Sequence, residues 1–135
     1  MSSLAIREVD ILPYPHNLLC KLNCPLNNKR YPSEEFLEAF EYELISADTD
    51  REKKNFCMLM MYYSQAYLLA DIGSEYHISR QAVRVRIQKM IDRLRHPTRI
   101  KRIEEIVHEE DMRYKKEEED MKYKKREIKC RKKTK

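Results

Sequence analysis

The sequence predicts an all-α fold, a helical bundle that ends in a charged helix or tail. One glycine among 135 residues, with 38% of the chain charged, describes a protein with few tight turns and much solvated helix. From Phe36 to Val107 the apolar residues recur three and four positions apart, which is the spacing of one helix face. The length allows one domain with a tail. We expect residues 1–32 to form an N-terminal arm, 33–108 the helical domain and 109–135 the tail.

The arm combines an apolar stretch, Ile6 to Leu12, with breaks at Pro13, Pro15, Pro25 and Pro32. A short extended or helical segment packed on the domain is expected there. Ser33 followed by Glu34 and Glu35 marks a helix start, a cap and then acids at the positive end of the dipole. Phe36, Leu37, Phe40 and Leu44 supply the apolar stripe of an amphipathic helix over 33–46. Thr49-Asp50-Arg51-Glu52 has the capping-box pattern, in which Glu52 reaches back to the Thr49 amide. The helix after it would bury Phe56, Leu59, Met60 and Tyr63.

Residues 67–95 read as a helix-turn-helix, with helices at about 67–76 and 79–95. Ile72, Tyr76, Ile78, Val83 and Ile87 would press the two helices together. Gly73 falls where crossing helices need a residue without bulk, and His77 sits in the turn, where a left-handed backbone is common. Ser79 is a good N-cap for the second helix. Along that helix Val83, Ile87, Met90, Ile91 and Leu94 form the core face. Arg80, Gln81 and Arg84, just after the cap, can form bidentate contacts to base edges. Pro97 ends the helix, and another begins near Thr98 with Ile100, Ile103 and Val107 against the core.

The stretch from Tyr67 to Arg99 resembles, without a gap, region 4 of bacterial sigma-70 family transcription initiation factors. The likeness lies in the "IG", in "ISRQAVR" and in the closing Leu94-Arg95-His96-Pro97-Thr98-Arg99. Thr49-Asp50-Arg51-Glu52 is similar to the "TPRE" opening of the same region and extends the resemblance over roughly 49–103. The resemblance implies a helix-turn-helix that contacts the promoter −35 element through the positions of Arg80 and Arg84. It also implies a surface that grips the flap-tip helix of the RNA polymerase β subunit, to which an exposed part of Met58–Tyr63 would contribute.

Three departures bear on specificity. Gln81 stands where primary sigma factors carry Glu, Val85 where they carry Gln, and Arg86 takes a position that is usually apolar. Glutamine prefers adenine and valine can only touch a thymine methyl, so a target other than the housekeeping one is expected. Nothing in the chain resembles the sigma segment that melts DNA. The resemblance is therefore compatible with half of a split sigma factor that needs a separate region-2-like subunit. It is also compatible with a phage or mobile-element regulator; a polymerase-binding adaptor is the second reading and a stand-alone repressor the third.

Charge placement agrees with a nucleic-acid partner. Residues 1–66 carry 7 basic and 10 acidic side chains, whereas 80–102 carry nine Lys or Arg against the single acid Asp92. Such a stripe centred on a recognition helix is the electrostatic footprint of a double-stranded DNA binder. The expected DNA-facing set is Ser79, Arg80, Gln81, Arg84, Val85, Arg86, Lys89, Arg93, Arg95 and Arg99. Lys89, Arg93, Arg95 and Arg99, together with Lys101 and Arg102, are expected as phosphate contacts or ordinary surface.

Beyond 108 the apolar stripe gives way to Glu-Glu-Asp-Met-Arg-Tyr-Lys-Lys (109–116), repeated almost unchanged at 118–125. A nine-residue period puts Met112 and Met121 on opposite sides of a helix, so no coiled-coil seam results. A solvated helix fraying into a basic end is expected.

No catalytic constellation and no cofactor motif appear, and an enzyme is not expected. His16, Cys20 and Cys24 have a spacing that could suit zinc, but no fourth ligand accompanies them. The four cysteines read as reduced thiols, with Cys57 a core residue. No stretch has the apolar length of a membrane span and no signal-peptide pattern is present, so a cytoplasmic location is expected.

Overall fold

A computed structural model describes residues 12–133, with side chains through Lys122. Among the described residues the chain is all-helical, with six helices and no strand. In order they are α1 (His16–Lys21), α2 (Glu34–Ala47), α3 (Lys54–Tyr63), α4 (Leu69–Tyr76), α5 (Arg80–Leu94) and α6 (Pro97–Lys133). Most of the apolar stretch expected at Ile6–Leu12, and the basic end past Lys133, lie outside the described residues.

Helix α5 is the hub and packs on α2, α3, α4 and α6. Its Val83, Ile87, Met90, Ile91 and Leu94 are all buried, as the 3.6-residue period demands. Phe36, Phe40 and Leu44 of α2 meet Met58 and Leu59 of α3, Ile72 of α4, and Ile103 and Val107 of α6 in one core. The Phe36 and Phe40 rings stack with centroids 5.5 Å apart. Ser33 caps α2 by accepting from the Phe36 amide.

The N-terminal segment packs on the domain through α1. Leu18, Leu19 and Leu22 are fully buried members of the same core. Asn17 Nδ2 donates to the Tyr63 carbonyl at 2.9 Å and so closes the end of α3.

The capping box at Thr49 does not form. Helix α3 begins only at Lys54, and its N-cap is Lys53 in the left-handed region, φ 57°. The cap bond comes from farther back: buried Asp48 accepts from the Phe56 amide at 2.8 Å and, through its other oxygen, from the Asp50 amide at 3.0 Å. In return, Lys53 Nζ donates to the Ile45 and Asp48 carbonyls at the end of α2. Each helix thus covers the orphan groups of its neighbour.

Helix α6 runs through residue 108 without a break. The turns just past residue 108 are not wholly solvated. Glu110 and Asp111 are buried. Glu110 accepts from the Ser33 amide and from the Ser33 hydroxyl, both at 2.7 Å, and from Arg113 Nε at 3.1 Å. Asp111 accepts from the Asn27 amide. Arg30 adds a salt bridge to Glu117 and lies over the Tyr114 ring. This clasp fastens the segment before α2 to the last helix. No described helix is long and apolar enough to cross a membrane.

Candidate nucleic-acid interface

The presentation of α5 begins with the connection that precedes it. Helix α4 ends at His77, which is left-handed with φ 57°. The amides of His77 and Ile78 both close on the Gly73 carbonyl. A Cβ on Gly73 would meet the Ile78 carbonyl oxygen at 2.5 Å. The glycine is therefore required by the backbone of the turn rather than by side chains of a crossing helix. Ser79 then caps α5, its hydroxyl accepting from the Ala82 amide at 3.0 Å. We expect Ser79→Ala to lower stability by about 1 kcal/mol, measured as a shift of the urea midpoint. An unchanged midpoint would mean that the turn, not the cap, sets the start of α5.

This geometry sorts the expected DNA-facing residues. Arg80, Gln81, Arg84, Val85, Lys89 and Arg95 are exposed, as is Ser79. Val85 is 42% exposed. The side chains of Arg80, Gln81 and Arg84 make no hydrogen bond or ion pair among the described residues. Gln88 Nε2 donates to Asp92 Oδ1 at 3.0 Å, one turn along the exposed face of the helix.

Three of the expected cations are held differently. Arg86 is half-buried beside Ile87, which takes the core position. Arg93, expected to point outward, is also half-buried and its Nη1 is enclosed without a partner. Arg99 Nη2 donates to the Ser46 carbonyl at the end of α2. That bond ties α6 to α2 and leaves less of the guanidinium for a phosphate.

The described structure adds neighbours that the sequence did not suggest. A cleft of about 290 Å³ adjoins α5, with Tyr62, Leu69, Arg84 and Gln88 among its walls and Ile87 and Ile91 toward its floor. Lys21 of α1 also lines it. No local pattern in the sequence could have placed Lys21 there, because the contact depends on how α1 seats on the core. On α3, Met58, Leu59 and Tyr63 are buried, while Met60, Met61 and Tyr62 are only partly covered.

The candidate zinc residues do not converge. His16 is buried and donates from Nε2 to the Asn28 carbonyl, Cys24 is buried, and Cys20 is exposed. No group of three or more possible ligands is close enough to hold a metal among the described residues. Cys57 is half-buried rather than fully enclosed.

The chain matches no protein-family model, no curated protein and no solved structure.

Proposed function

We propose that this protein binds double-stranded DNA with the N-terminal half of α5 in the major groove, in the manner of sigma region 4, and regulates transcription initiation without enzymatic activity. The support comes from one feature above the others. Arg80, Gln81, Arg84 and Val85 project together from the first two turns of a capped helix whose opposite face is wholly buried. A helix held in this way offers base-reading side chains in a fixed register, while Lys89 and Arg95 supply phosphate contacts.

Selection of bound duplexes from a random pool, followed by titration of Arg84→Ala, tests this reading. Arg84→Ala is expected to cost about 1–3 kcal/mol on the selected site and to relax one base preference. Equal losses on the selected site and on random duplex would remove Arg84 from base reading.

A polymerase-binding adaptor is the second reading, favoured by the partly covered Met60, Met61 and Tyr62 on α3. Their apolar surface suits the RNA polymerase β flap. Retention on core polymerase that survives Arg80→Ala with Arg84→Ala, and is lost on deletion of the flap tip, would favour it.

A further inference from the structure

The cleft of about 290 Å³ beside α5 opens where α1, α3, α4 and α5 meet, and ligand sites are often built between the helices of a bundle. Its walls are of two kinds. On the apolar side stand Tyr62 and Leu69, with the buried Ile87 and Ile91 beneath them. The Tyr62 ring lies at right angles to that of buried Tyr63, with centroids 5.2 Å apart. That packing fixes the aromatic wall in advance of any ligand.

The polar side carries one sign of charge. Arg84 and Gln88 stand one turn apart on α5, Lys21 comes from α1, and no carboxylate lines the cleft among the described residues. Asp92, the next acid along α5, is bonded to Gln88 Nε2 and lies outside the lining. The Arg84 guanidinium makes no hydrogen bond or ion pair among the described residues. Its paired N–H groups match the two oxygens of a carboxylate. Size follows from the volume. A cavity of about 150 Å³ holds a benzene ring, and this cleft has room for a ring and a short acidic arm.

We propose that the cleft binds a small aromatic carboxylate, its ring against Tyr62 and Leu69 and its carboxylate on Arg84, and that occupancy withdraws Arg84 from DNA. The withdrawal rests on the base-reading role given to α5; the binding does not. A bidentate pair with the ligand uses the N–H groups that a guanine edge requires, so the two partners exclude each other at this residue. Linkage makes the effect mutual: the ligand weakens the selected DNA site by the factor by which that site weakens the ligand. A backbone phosphate is the less suitable occupant, because it covers none of the apolar surface of Tyr62 and Leu69.

The test begins without DNA. The full chain, isotopically labelled for NMR, is titrated with phenylacetate and indoleacetate, and with phenethyl alcohol as the uncharged analogue. Both carboxylates are expected to bind saturably at about millimolar concentration, moving the signals of Leu69 and Arg84. The alcohol is expected to bind about tenfold more weakly, and Arg84→Ala to weaken the carboxylates by about the same factor. Leu69→Trp fills the cleft without touching a DNA-facing residue and should abolish binding of all three. Should that variant fail to fold, the comparison at exposed Arg84 decides alone. Absence of saturable binding by either carboxylate would overturn the proposal. So would equal affinity for the alcohol, or affinity for phenylacetate unchanged by Arg84→Ala. Signal changes confined to the basic residues of α6 would overturn it in favour of general anion attraction. The selected duplex is then titrated with and without saturating phenylacetate, which should weaken it in the parent chain and not in Leu69→Trp. Binding in the cleft with DNA affinity unchanged would leave the ligand site standing and remove Arg84 from base reading.

Discussion

Glu110→Ala is expected to destabilise the protein by about 2–3 kcal/mol, more than any surface substitution on α5. Glu110 is 1% exposed and accepts three hydrogen bonds, two of them from Ser33. Removing the carboxylate leaves the half-buried Ser33 amide and hydroxyl without their acceptor, and each lost hydrogen bond to a charged group costs about 1.5–3 kcal/mol when not replaced by water. Ser33 is also the cap of α2, so the loss reaches the helix that carries Phe36 and Phe40. Arg113 keeps its second partner, Glu35, and does not become an isolated charge.

The same group makes stability depend on acidity. Burial alone would raise the pKa of Glu110, but the bonds from Ser33 and Arg113 outweigh it and hold the carboxyl below its ordinary range. A depressed folded value means that the contribution is complete above the unfolded pKa, about 4.3. It is lost as the pH falls through the lower folded value. The thermal stability of the parent chain should therefore fall as the pH drops below about 4, and Glu110→Gln should flatten that part of the profile. Parallel acid profiles for the two chains would show that other carboxylates govern the transition.

Gly73→Ala is expected to cost about 1–3 kcal/mol net, although alanine is the better helix former by about 1 kcal/mol. The reason is the 2.5 Å approach to the Ile78 carbonyl. The atom in the way is backbone, fixed by the two amides that close on the Gly73 carbonyl, so no side-chain rotation relieves it. The turn must open, and α5 shifts with it. Urea unfolding should report the lost stability, and DNA titration should report a larger loss on a selected site than on random duplex. A variant as stable as the parent would show that the turn has room the static geometry does not reveal.

The legible parts of this fold are those that depend on short-range periodicity. The five core residues of α5, the Ser33 and Ser79 caps and the left-handed His77 follow from spacing and from the conformational tolerance of single residues. The start of α3 was not legible. Thr49-Asp50-Arg51-Glu52 satisfies a local pattern, but Asp48 sits at the end of a helix already anchored in the core and reaches the Phe56 amide first. A cap signature registers only its own four residues, and here the competitor lies just outside them.

Burial at Glu110 was hidden for a related reason. Glu110 and Glu119 occupy equivalent places in the two copies of the repeat, yet one is enclosed and the other exposed. What separates them is Ser33, far away in the chain. At the candidate interface the exposed set at 80, 81, 84 and 85 was readable from the cap and the helical period. The retention of Arg99 by Ser46 was not, because it depends on where α2 ends in space.

The repeat in α6 has a consequence for how such a chain can change in length. Nine residues make two and a half turns and advance the helix by about 13.5 Å. Duplicating one unit would carry the C-terminus outward and also turn it to face the opposite direction. Two units, five whole turns, would restore its heading at twice the added reach. The helix thus behaves as a ruler with a phase: its tip can be moved by one unit only with a reversal of face, and by two with the face preserved. Variants lengthened by nine and by eighteen residues would differ in which side of the rod they show, independently of how far they extend.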